Sequence, residues 1–276
     1  MNNPATDGTD SSTSSPQKIR LAATILAVLA LLAGLAIGLM AFGASLGVWL
    51  GLWDFRRGFD LLRTANENGA TIALICLAAT VVIFVLTKRY HLQNGFLLSS
   101  LAAIGTVAAA LAWYVPETYR PAEGVVIPPI HDITTDTNNP PQFVDVLALR
   151  GPGTNTVVYG TGPNMTPERL AELQTGAYPD IQPLVINAPQ EEVFNRALDA
   201  VQKLGWDVIA VAPEAGRIEA TDTTFWFRFK DDVVIIVSET PEGAVVNARS
   251  VSRVGVSDVG KNAERLRKFF AELRGS

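Results

Sequence analysis

Three long stretches without an ionisable side chain constrain this chain more than any other feature. Residues 21–53, 69–87 and 95–115 contain no Asp, Glu, Lys or Arg. A helix of about 20 apolar residues, rising about 1.5 Å per residue, crosses the roughly 30 Å hydrocarbon core of a bilayer. Because lipid offers backbone groups no hydrogen-bond partner, helix is the form that isolated apolar runs adopt there. The sequence therefore predicts a transmembrane region over residues 18–115.

We place its three helices near residues 21–42, 69–87 and 95–115. The alternatives are buried helices of a soluble core or, for the first run, a cleaved signal peptide. A signal peptide has an apolar region of only about 7–15 residues, and two further runs follow here. The spanning interpretation is therefore favoured, with the lipid bilayer as the first expected partner.

The charge is distributed unevenly between the two halves of the chain. Of 22 Lys and Arg residues and 27 Asp and Glu residues, residues 116–276 hold 15 and 22 respectively. An acidic C-terminal half lacks the basic surface that phosphate backbones require, so we expect no nucleic-acid partner. The only cysteine, Cys76, lies within the second apolar run, which excludes a disulfide scaffold.

The orientation in the membrane is predicted from the numbers of basic residues that flank the helices on each side, and here the two numbers are equal. The residues on the side of the N-terminus are Lys18, Arg20, Lys88 and Arg89, and those on the other side are Arg56, Arg57, Arg63 and Arg120. Lys88 and Arg89 lie in a very short loop at a helix end, which favours a cytoplasmic N-terminus. The hypothesis is a multi-pass protein of the bacterial inner membrane with a periplasmic C-terminal domain.

Glycines recur every four residues in the first run, at Gly34 and Gly38 and again from Gly43. This spacing puts small residues on one helix face, where a second helix can approach closely. We favour packing within the chain, with Gly105 and Ala109 as the opposing notch on the third helix. Homo-oligomerisation through the first helix is the alternative.

The segments outside the apolar runs differ in composition. Residues 1–17 are rich in Asn, Ser, Thr and Asp, which predicts a disordered tail. Residues 53–63 have aromatic residues at helical spacing and predict a short interfacial helix, with a solvated loop as the alternative. Residues 116–165 are rich in proline, which predicts an extended segment that either wraps over a folded domain or tethers it.

Residues 166–276 show the regular patterns of a folded domain. Thr166 and Pro167 have the N-cap and first-position chemistry of a helix. Helices are predicted over residues 167–174, 189–204 and 258–273, and strands over residues 183–187, 206–211, 217–229, 233–239 and 244–251. The tight turns between the last four strands indicate an antiparallel meander. The predicted fold class is a membrane-anchored α+β protein, with an antiparallel sheet, helices on one face, and the order β-α-β-β-β-β-α.

Several runs resemble one family of unassigned function, the domain of unknown function 1499 family. The runs that carry the resemblance are residues 129–136 (PIHDITTD), 140–143 (PPQF), 178–179 (YP), 205–206 (GW), 217–220 (RIEA) and 249–265 (RSVSRVGVSDVGKNAER). The resemblance covers about residues 120–273 and implies a membrane- or envelope-associated domain with no assigned activity. It assigns no catalytic residue.

The junction between the last strand and the last helix is the strongest candidate for a site. Arg249 and Arg253 bracket Ser250, and Asp258 and Asn262 lie at the start of the helix. Free backbone N–H groups and arginine side chains favour an anion there. Alternatively, Asp258 caps the helix and pairs with an arginine internally.

His131, Asp132 and Asp136 lie close together in sequence and form a second candidate cluster. Three potential ligands on one loop predict a metal only weakly, and hydrogen bonds that dock the loop are the alternative. We expect no metal, no cofactor and no catalytic residue.

The leading hypothesis is a non-enzymatic envelope protein whose domain binds a partner protein or a small anionic ligand. The alternative is a membrane-associated enzyme that acts on an anionic envelope substrate. Its residues would be His131, Asp132, Asp136, Arg249 and Arg253.

Overall fold

The chain forms two compact units, Met1–Arg120 and Pro121–Ser276. The structure is a computed structural model that describes residues 14–121, 124, 126–162 and 164–275. Residues 1–13 of the predicted tail lie outside the described residues.

The first unit consists of three membrane helices, each long and apolar enough to span a bilayer. They are α1 (Ser14–Trp49), α2 (Phe55–Tyr90) and α3 (Gly95–Glu117). The helices extend beyond the uncharged runs because backbone hydrogen bonding continues where the apolar composition stops. Residues 14–17, expected in the tail, therefore belong to α1.

The prediction of a separate interfacial helix over residues 53–63 is wrong. Asp54 caps α2 by accepting a hydrogen bond from the Arg57 backbone N–H at 2.9 Å, and α2 then continues unbroken through the second apolar run. The aromatic residues in this segment belong to the first turns of a membrane helix. Helical spacing was thus recognised, whereas the continuity of the helix was not.

Helices α1 and α3 pack backbone to backbone at two glycines. A Cβ atom added to Gly34 would lie 2.0 Å from the Gly105 carbonyl oxygen, and one added to Gly105 would lie 2.3 Å from that of Ala30. The predicted packing of Gly34 against Gly105 is therefore confirmed. The carbonyl oxygen of Ala109, the other residue of the predicted notch, approaches α2, because a Cβ on Gly69 would lie 3.1 Å from it. Homo-oligomerisation stays a prediction.

The second unit is built on a six-stranded antiparallel sheet. The strands are β1 (Asp132–Thr134), β2 (Leu184–Ile186), β3 (Asp207–Ala212), β4 (Arg217–Thr223), β5 (Lys230–Thr240) and β6 (Gly243–Ser252). Their order is β1-β6-β5-β4-β3, and β2 also pairs with β6. The helices of this unit are α4 (Pro167–Ala177), α5 (Gln190–Lys203) and α6 (Lys261–Gly275). The predicted α+β class with an antiparallel sheet is confirmed.

The two faces of the sheet are covered differently. Helices α5 and α6 contribute side chains such as Phe194 and Phe269 to the main apolar core, together with alternate residues of β4, β5 and β6. On the opposite face, Phe143 and Val146 of the Pro-rich segment pack on Val234 of β5. We call these the helix face and the loop face. Successive residues of each strand point to opposite faces, so the two coverings meet different side chains.

Three predicted elements differ from the structure. β1 lies in the segment that was expected to be irregular. Its three residues form a strand only because they pair with β6. Residues 225–229 form a turn in place of a strand, since Arg228 adopts a left-handed conformation with φ +54°. Helix α6 begins at Lys261 in place of residue 258, after Val259 and Gly260 at positive φ.

Candidate functional site

Arg249 lies at the centre of a buried network on the loop face. Its side chain is fully buried and donates to both carboxylate oxygens of Asp132, from Nε at 2.9 Å and from Nη2 at 2.7 Å. It also donates to the carbonyl oxygens of Pro141 at 3.0 Å and Val157 at 2.7 Å. A buried charge needs this degree of pairing, so the network fixes the Pro-rich segment to β6.

Two aromatic rings complete the surroundings of Arg249. The guanidinium carbon lies 5.4 Å from the ring centre of Phe143 and 5.5 Å from that of Tyr159, both within range of cation–π attraction. Burial, and then the nearby charge of Asp132, raise the pKa of Tyr159, so its hydroxyl stays protonated. The partners of Arg249 named here are therefore all residues of the chain itself.

Asp232 of β5 is the centre of a second network on the same face. Arg253 donates to it from Nε at 2.9 Å and from Nη2 at 2.8 Å, and Arg150 also binds it. The Thr221 hydroxyl donates to Asp232 at 2.7 Å. Burial lowers the pKa of the Arg150 guanidinium, an effect that the charge of Asp232 opposes.

The helix face has its own network around Asn262 of α6. The Ser250 hydroxyl donates to Asn262 Oδ1 at 2.7 Å, and Asn262 Nδ2 donates to the His131 carbonyl oxygen at 2.9 Å. Arg265 binds Asp231 at 2.7 Å and Asp222 at 2.8 Å. Ser250 and Arg249 thus lie on opposite faces of the sheet because they are neighbours on one strand.

Asp258 occupies the start of α6. Its carboxylate accepts the backbone N–H groups of Gly260 at 2.8 Å and of Asn262 at 2.9 Å. Burial raises its pKa, although these hydrogen bonds act in the opposite direction. Asp258 therefore caps the helix start, as the alternative interpretation of this junction expected. Arg249 and Arg253, however, pair with Asp132 and Asp232 in place of Asp258. The anion site stays a prediction.

His131, Asp132 and Asp136 do not converge. The His131 ring lies against the Val256 carbonyl oxygen, with Nδ1 at 3.3 Å, and Asp132 is held by Arg249. Asp136 caps a turn by accepting the backbone N–H groups of Asn138 at 3.0 Å and Asn139 at 2.9 Å. Within the described ranges, no three His, Cys, Asp or Glu side chains form a group that could hold a metal ion.

A polar pocket of about 280 Å³ opens where the edge of the sheet is broken. β1 pairs with residues 249–251 of β6 and β2 with residues 244–246. In the interruption between them, the hydroxyl of the buried Thr135 donates to the Asn247 side-chain oxygen at 2.9 Å. The residues that line the pocket are Thr135, Asp136, Thr137, Asn138, Gln174, Thr175, Ile181, Gln182 and Pro183. Of the residues proposed from sequence, Asp136 lies in this wall.

Gln174 fixes the shape of the pocket. It is buried, accepts the Thr134 backbone N–H at 3.0 Å and donates to the Thr134 carbonyl oxygen at 2.6 Å. The Gln174 amide thereby pairs with the outer edge of β1 in the way that a neighbouring strand would. Helix α4, which carries Gln174, is started by Thr166, whose hydroxyl accepts the Arg169 N–H.

Sequence reasoning missed three acidic residues of these networks, Glu219, Asp231 and Asp232. Glu219 is fully buried and accepts the backbone N–H groups of Val144 at 2.8 Å and Val146 at 2.9 Å. Asp231 and Asp232 lay outside the strand predicted over residues 233–239, whereas β5 includes them. The signal in the sequence that could have identified them is the presence of acidic residues at strand positions, because a buried acidic side chain requires a partner.

The comparisons with known proteins agree with the extent of the second unit. The profile of the family described as Protein of unknown function (DUF1499) matches residues 132–273, more than half of the chain. The match begins at the first residue of β1, so the Pro-rich segment belongs largely to the family domain. No curated protein matches the chain. The chain therefore belongs to the DUF1499 family of proteins of unknown function, and it carries the family domain after three membrane helices.

Proposed function

We propose that this chain is a membrane-anchored, non-catalytic binding protein. Its C-terminal domain holds a small, neutral, hydroxylated ligand of monosaccharide size in the pocket at the broken sheet edge. The pocket itself is the observation that carries the proposal, because polar side chains surround open space there. In contrast, Arg249 and Arg253 already bind carboxylates of the protein.

The chemistry of the wall suits hydroxyl groups. Asp136 uses Oδ1 for both turn N–H groups, which leaves Oδ2 outside those two bonds. Thr137, Asn138 and Gln182 add hydroxyl and amide groups that both donate and accept. Pro183 contributes an apolar surface, as binding pockets usually contain.

The charge of the wall selects against anions. Among the described residues that line the pocket, Asp136 is charged and none is Lys or Arg. An anionic ligand would meet a carboxylate without a cationic partner. This proposal therefore replaces the anionic ligand expected from sequence with a neutral one.

The test is ligand-observed NMR on the full chain in lipid nanodiscs, with glucose as the probe. We expect saturation transfer to glucose and weaker transfer to glucuronate, which carries a negative charge. Gln182→Met should weaken glucose binding about two- to twelvefold, the value of one hydrogen bond of about 0.5–1.5 kcal/mol. Gln182 is exposed, and its amide donates only locally, to the Pro179 carbonyl oxygen at 3.4 Å.

Gln142→Met is the matched control. Gln142 is also exposed and donates to a nearby proline carbonyl oxygen, that of Pro140, but it does not line the pocket. Its substitution should leave glucose binding unchanged. Absence of transfer to glucose in the unmodified chain, or equal losses in both variants, would reject the proposal.

The orientation belongs to the same proposal. We infer that the chain lies in the inner membrane of a bacterium, with its N-terminus in the cytoplasm and the binding domain in the periplasm. Lys88 and Arg89, in the last turn of α2 beside the short connection to α3, support this orientation. Alkaline phosphatase fused after the last residue should be active, and a fluorescent protein fused there should be dark. The opposite pair of results would reverse the orientation.

A further inference from the structure

The β4–β5 loop, residues 224–229, displays aromatic side chains on the surface of the second unit. Phe225 is 67% exposed and Trp226 is 39% exposed, and their rings contact each other edge to face at 5.2 Å. The next residue, Phe227, is buried at 8% exposure and stacks on Phe229 at 5.9 Å. The loop thus has an inner aromatic pair that anchors it and an outer pair that faces outward.

The backbone of this loop is closed by two hydrogen bonds. The Thr224 N–H donates to the Phe229 carbonyl oxygen at 2.8 Å, and the Phe229 N–H donates to the Thr224 hydroxyl at 2.9 Å. Arg228 takes the left-handed conformation that this tight turn requires. A closed turn presents Phe225 and Trp226 in a fixed arrangement, which limits the entropy lost when they bind something.

The charge around the loop is locally basic, although the unit as a whole is acidic. Arg228 and Lys230 are exposed beside the aromatic pair. Asp222 and Asp231, the acidic residues closest to the loop in sequence, pair with Arg265. Exposed aromatic residues together with basic ones are the composition of segments that bind the interface of an anionic membrane.

The sheet register places this loop at the end of the domain that the chain enters. Asp222 pairs with Asp231, Asp231 with Ser252, and Asp132 with Val251, so the β4–β5 loop and the start of β1 share one end of the sheet. Pro128 is fixed at the same end, since its carbonyl oxygen accepts a hydrogen bond from the Ser257 hydroxyl at 3.2 Å. Residues 121–127 precede it, and a chain of that length reaches at most about 25 Å. The β4–β5 loop therefore lies at the end of the domain that is nearest, along the chain, to the membrane helices.

We propose that the β4–β5 loop is a lipid-binding element that inserts Phe225 and Trp226 into the interface of the bilayer, while Arg228 and Lys230 contact anionic headgroups. A bilayer is the favoured occupant because the chain is already a membrane protein and because the charge of the loop complements that of anionic lipid. The loop is separate from the pocket, which lies at the other end of β1. This proposal is therefore independent of the proposed function.

The test places a fluorescent reporter in the loop of the full chain. Cys76 is the only cysteine, so Phe225→Cys in a Cys76→Ala background takes a single environment-sensitive NBD label. Glu242→Cys in the same background is the matched control, because Glu242 is an exposed turn residue at the opposite end of the sheet. Both chains are reconstituted in vesicles of phosphatidylcholine and phosphatidylglycerol, with and without doxyl-labelled quencher lipid.

The expected result is a blue-shifted label at residue 225 that quencher lipid dims several-fold, and an unshifted, unquenched label at residue 242. Adding Arg228→Gln and Lys230→Gln should remove the difference in quenching between anionic and purely zwitterionic vesicles. A blue shift at residue 225 without quenching would mean that protein covers the loop, a second copy included, and would overturn the proposal. Equal quenching at both positions, or none at residue 225, would also overturn it. Trp226→Cys repeats the measurement if Phe225→Cys lowers the thermal stability.

Discussion

The two units of this protein bury opposite kinds of residue. In the membrane unit the buried apolar side chains are mostly alanines, while large ones such as Leu39, Phe42 and Phe96 are exposed. In the C-terminal unit the large apolar residues are inside, and charged residues such as Arg249 and Glu219 are buried with them. The difference follows from the solvent, because lipid tails do not drive apolar groups inward whereas water does.

This contrast changes what holds each unit together. Helices in lipid gain stability from close contact, which small residues such as Gly34 and Gly105 permit. The C-terminal unit gains enough from apolar burial to contain Arg–Asp pairs, whose attraction must offset the cost of removing charge from water. A close glycine contact should therefore be sensitive to volume, and a buried ion pair should be sensitive to charge balance.

The largest effect is expected from breaking the charge balance of the loop face. Arg249→Met leaves Asp132 buried without its bidentate partner and should cost about 3–5 kcal/mol of the free energy of unfolding. Chemical denaturation of the full chain measures it, followed by the fluorescence of Trp206 in a background in which the other four tryptophans are replaced by phenylalanine. Adding Asp132→Leu should recover most of the loss, since an apolar pair of similar volume replaces the ion pair.

Arg267→Met is the control for that prediction. Arg267 makes an equally short pair with Asp180, at 2.6 Å, but both side chains are about half exposed. Exposed pairs contribute at most about 1 kcal/mol, so this variant should unfold nearly as the unmodified chain does. If Arg249→Met behaved in the same way, charge balance would not distinguish the two units.

The second prediction concerns volume in the membrane unit. Gly34→Leu places side-chain atoms where the Gly105 backbone lies 2.0 Å from a Cβ position, and should cost about 1–3 kcal/mol. Thermal unfolding of the full chain in detergent micelles measures it. Gly43→Leu on the same helix meets nothing within 4 Å and should have no such cost. Equal destabilisation by the two leucines would show that the glycine contact is not what stabilises the helices.

The smallest effect is expected from an exposed charge cluster of the C-terminal unit. Hydrogen bonds from Lys261 and Lys268 lower the pKa of Glu264 from 4.5 to about 2. A lowered pKa stabilises the folded state above pH 4.5, and this contribution is lost as the pH falls through about 2. Glu264→Gln should therefore be less stable at neutral pH by less than about 1 kcal/mol, because solvent screens the exposed pairs.

Denaturation at a series of pH values tests this sign. The gap between Glu264→Gln and the unmodified chain should close on acidification from pH 4.5 to about 2. Glu242→Gln, at an exposed turn, should show no gap at any pH. A gap that widens in acid would contradict the assignment of the lowered pKa to Glu264.

Local sequence patterns predicted the elements that depend on local chemistry. The uncharged runs predicted the three membrane helices, and Thr166 with Pro167 predicted the start of α4. The segment of residues 225–229 was wrongly predicted as a strand, because aromatic alternation is also compatible with a closed turn. The strand β1 was missed, because its three residues carry no periodic signal of their own.

The candidate site was predictable only in part. Arg249 and Arg253 were recognised as neighbours of one helix start, and strand alternation already implies that Ser250 faces the other way. Their carboxylate partners could not be deduced, since Asp132 is 117 residues from Arg249 and Asp232 is 21 residues from Arg253. The pocket was also beyond sequence, because it results from two strands sharing one edge of β6.

The sequence alone determined where lipid and where water surround this chain, because solvent preference depends on composition along each segment. It also determined the α+β class, since turn spacing and periodicity act over a few residues. Only the tertiary structure decided which charges neutralise one another, where the sheet edge breaks, and which loop lies where the chain enters the domain. Those features arise from pairing between residues far apart in the chain, and neither periodicity nor composition specifies such pairing.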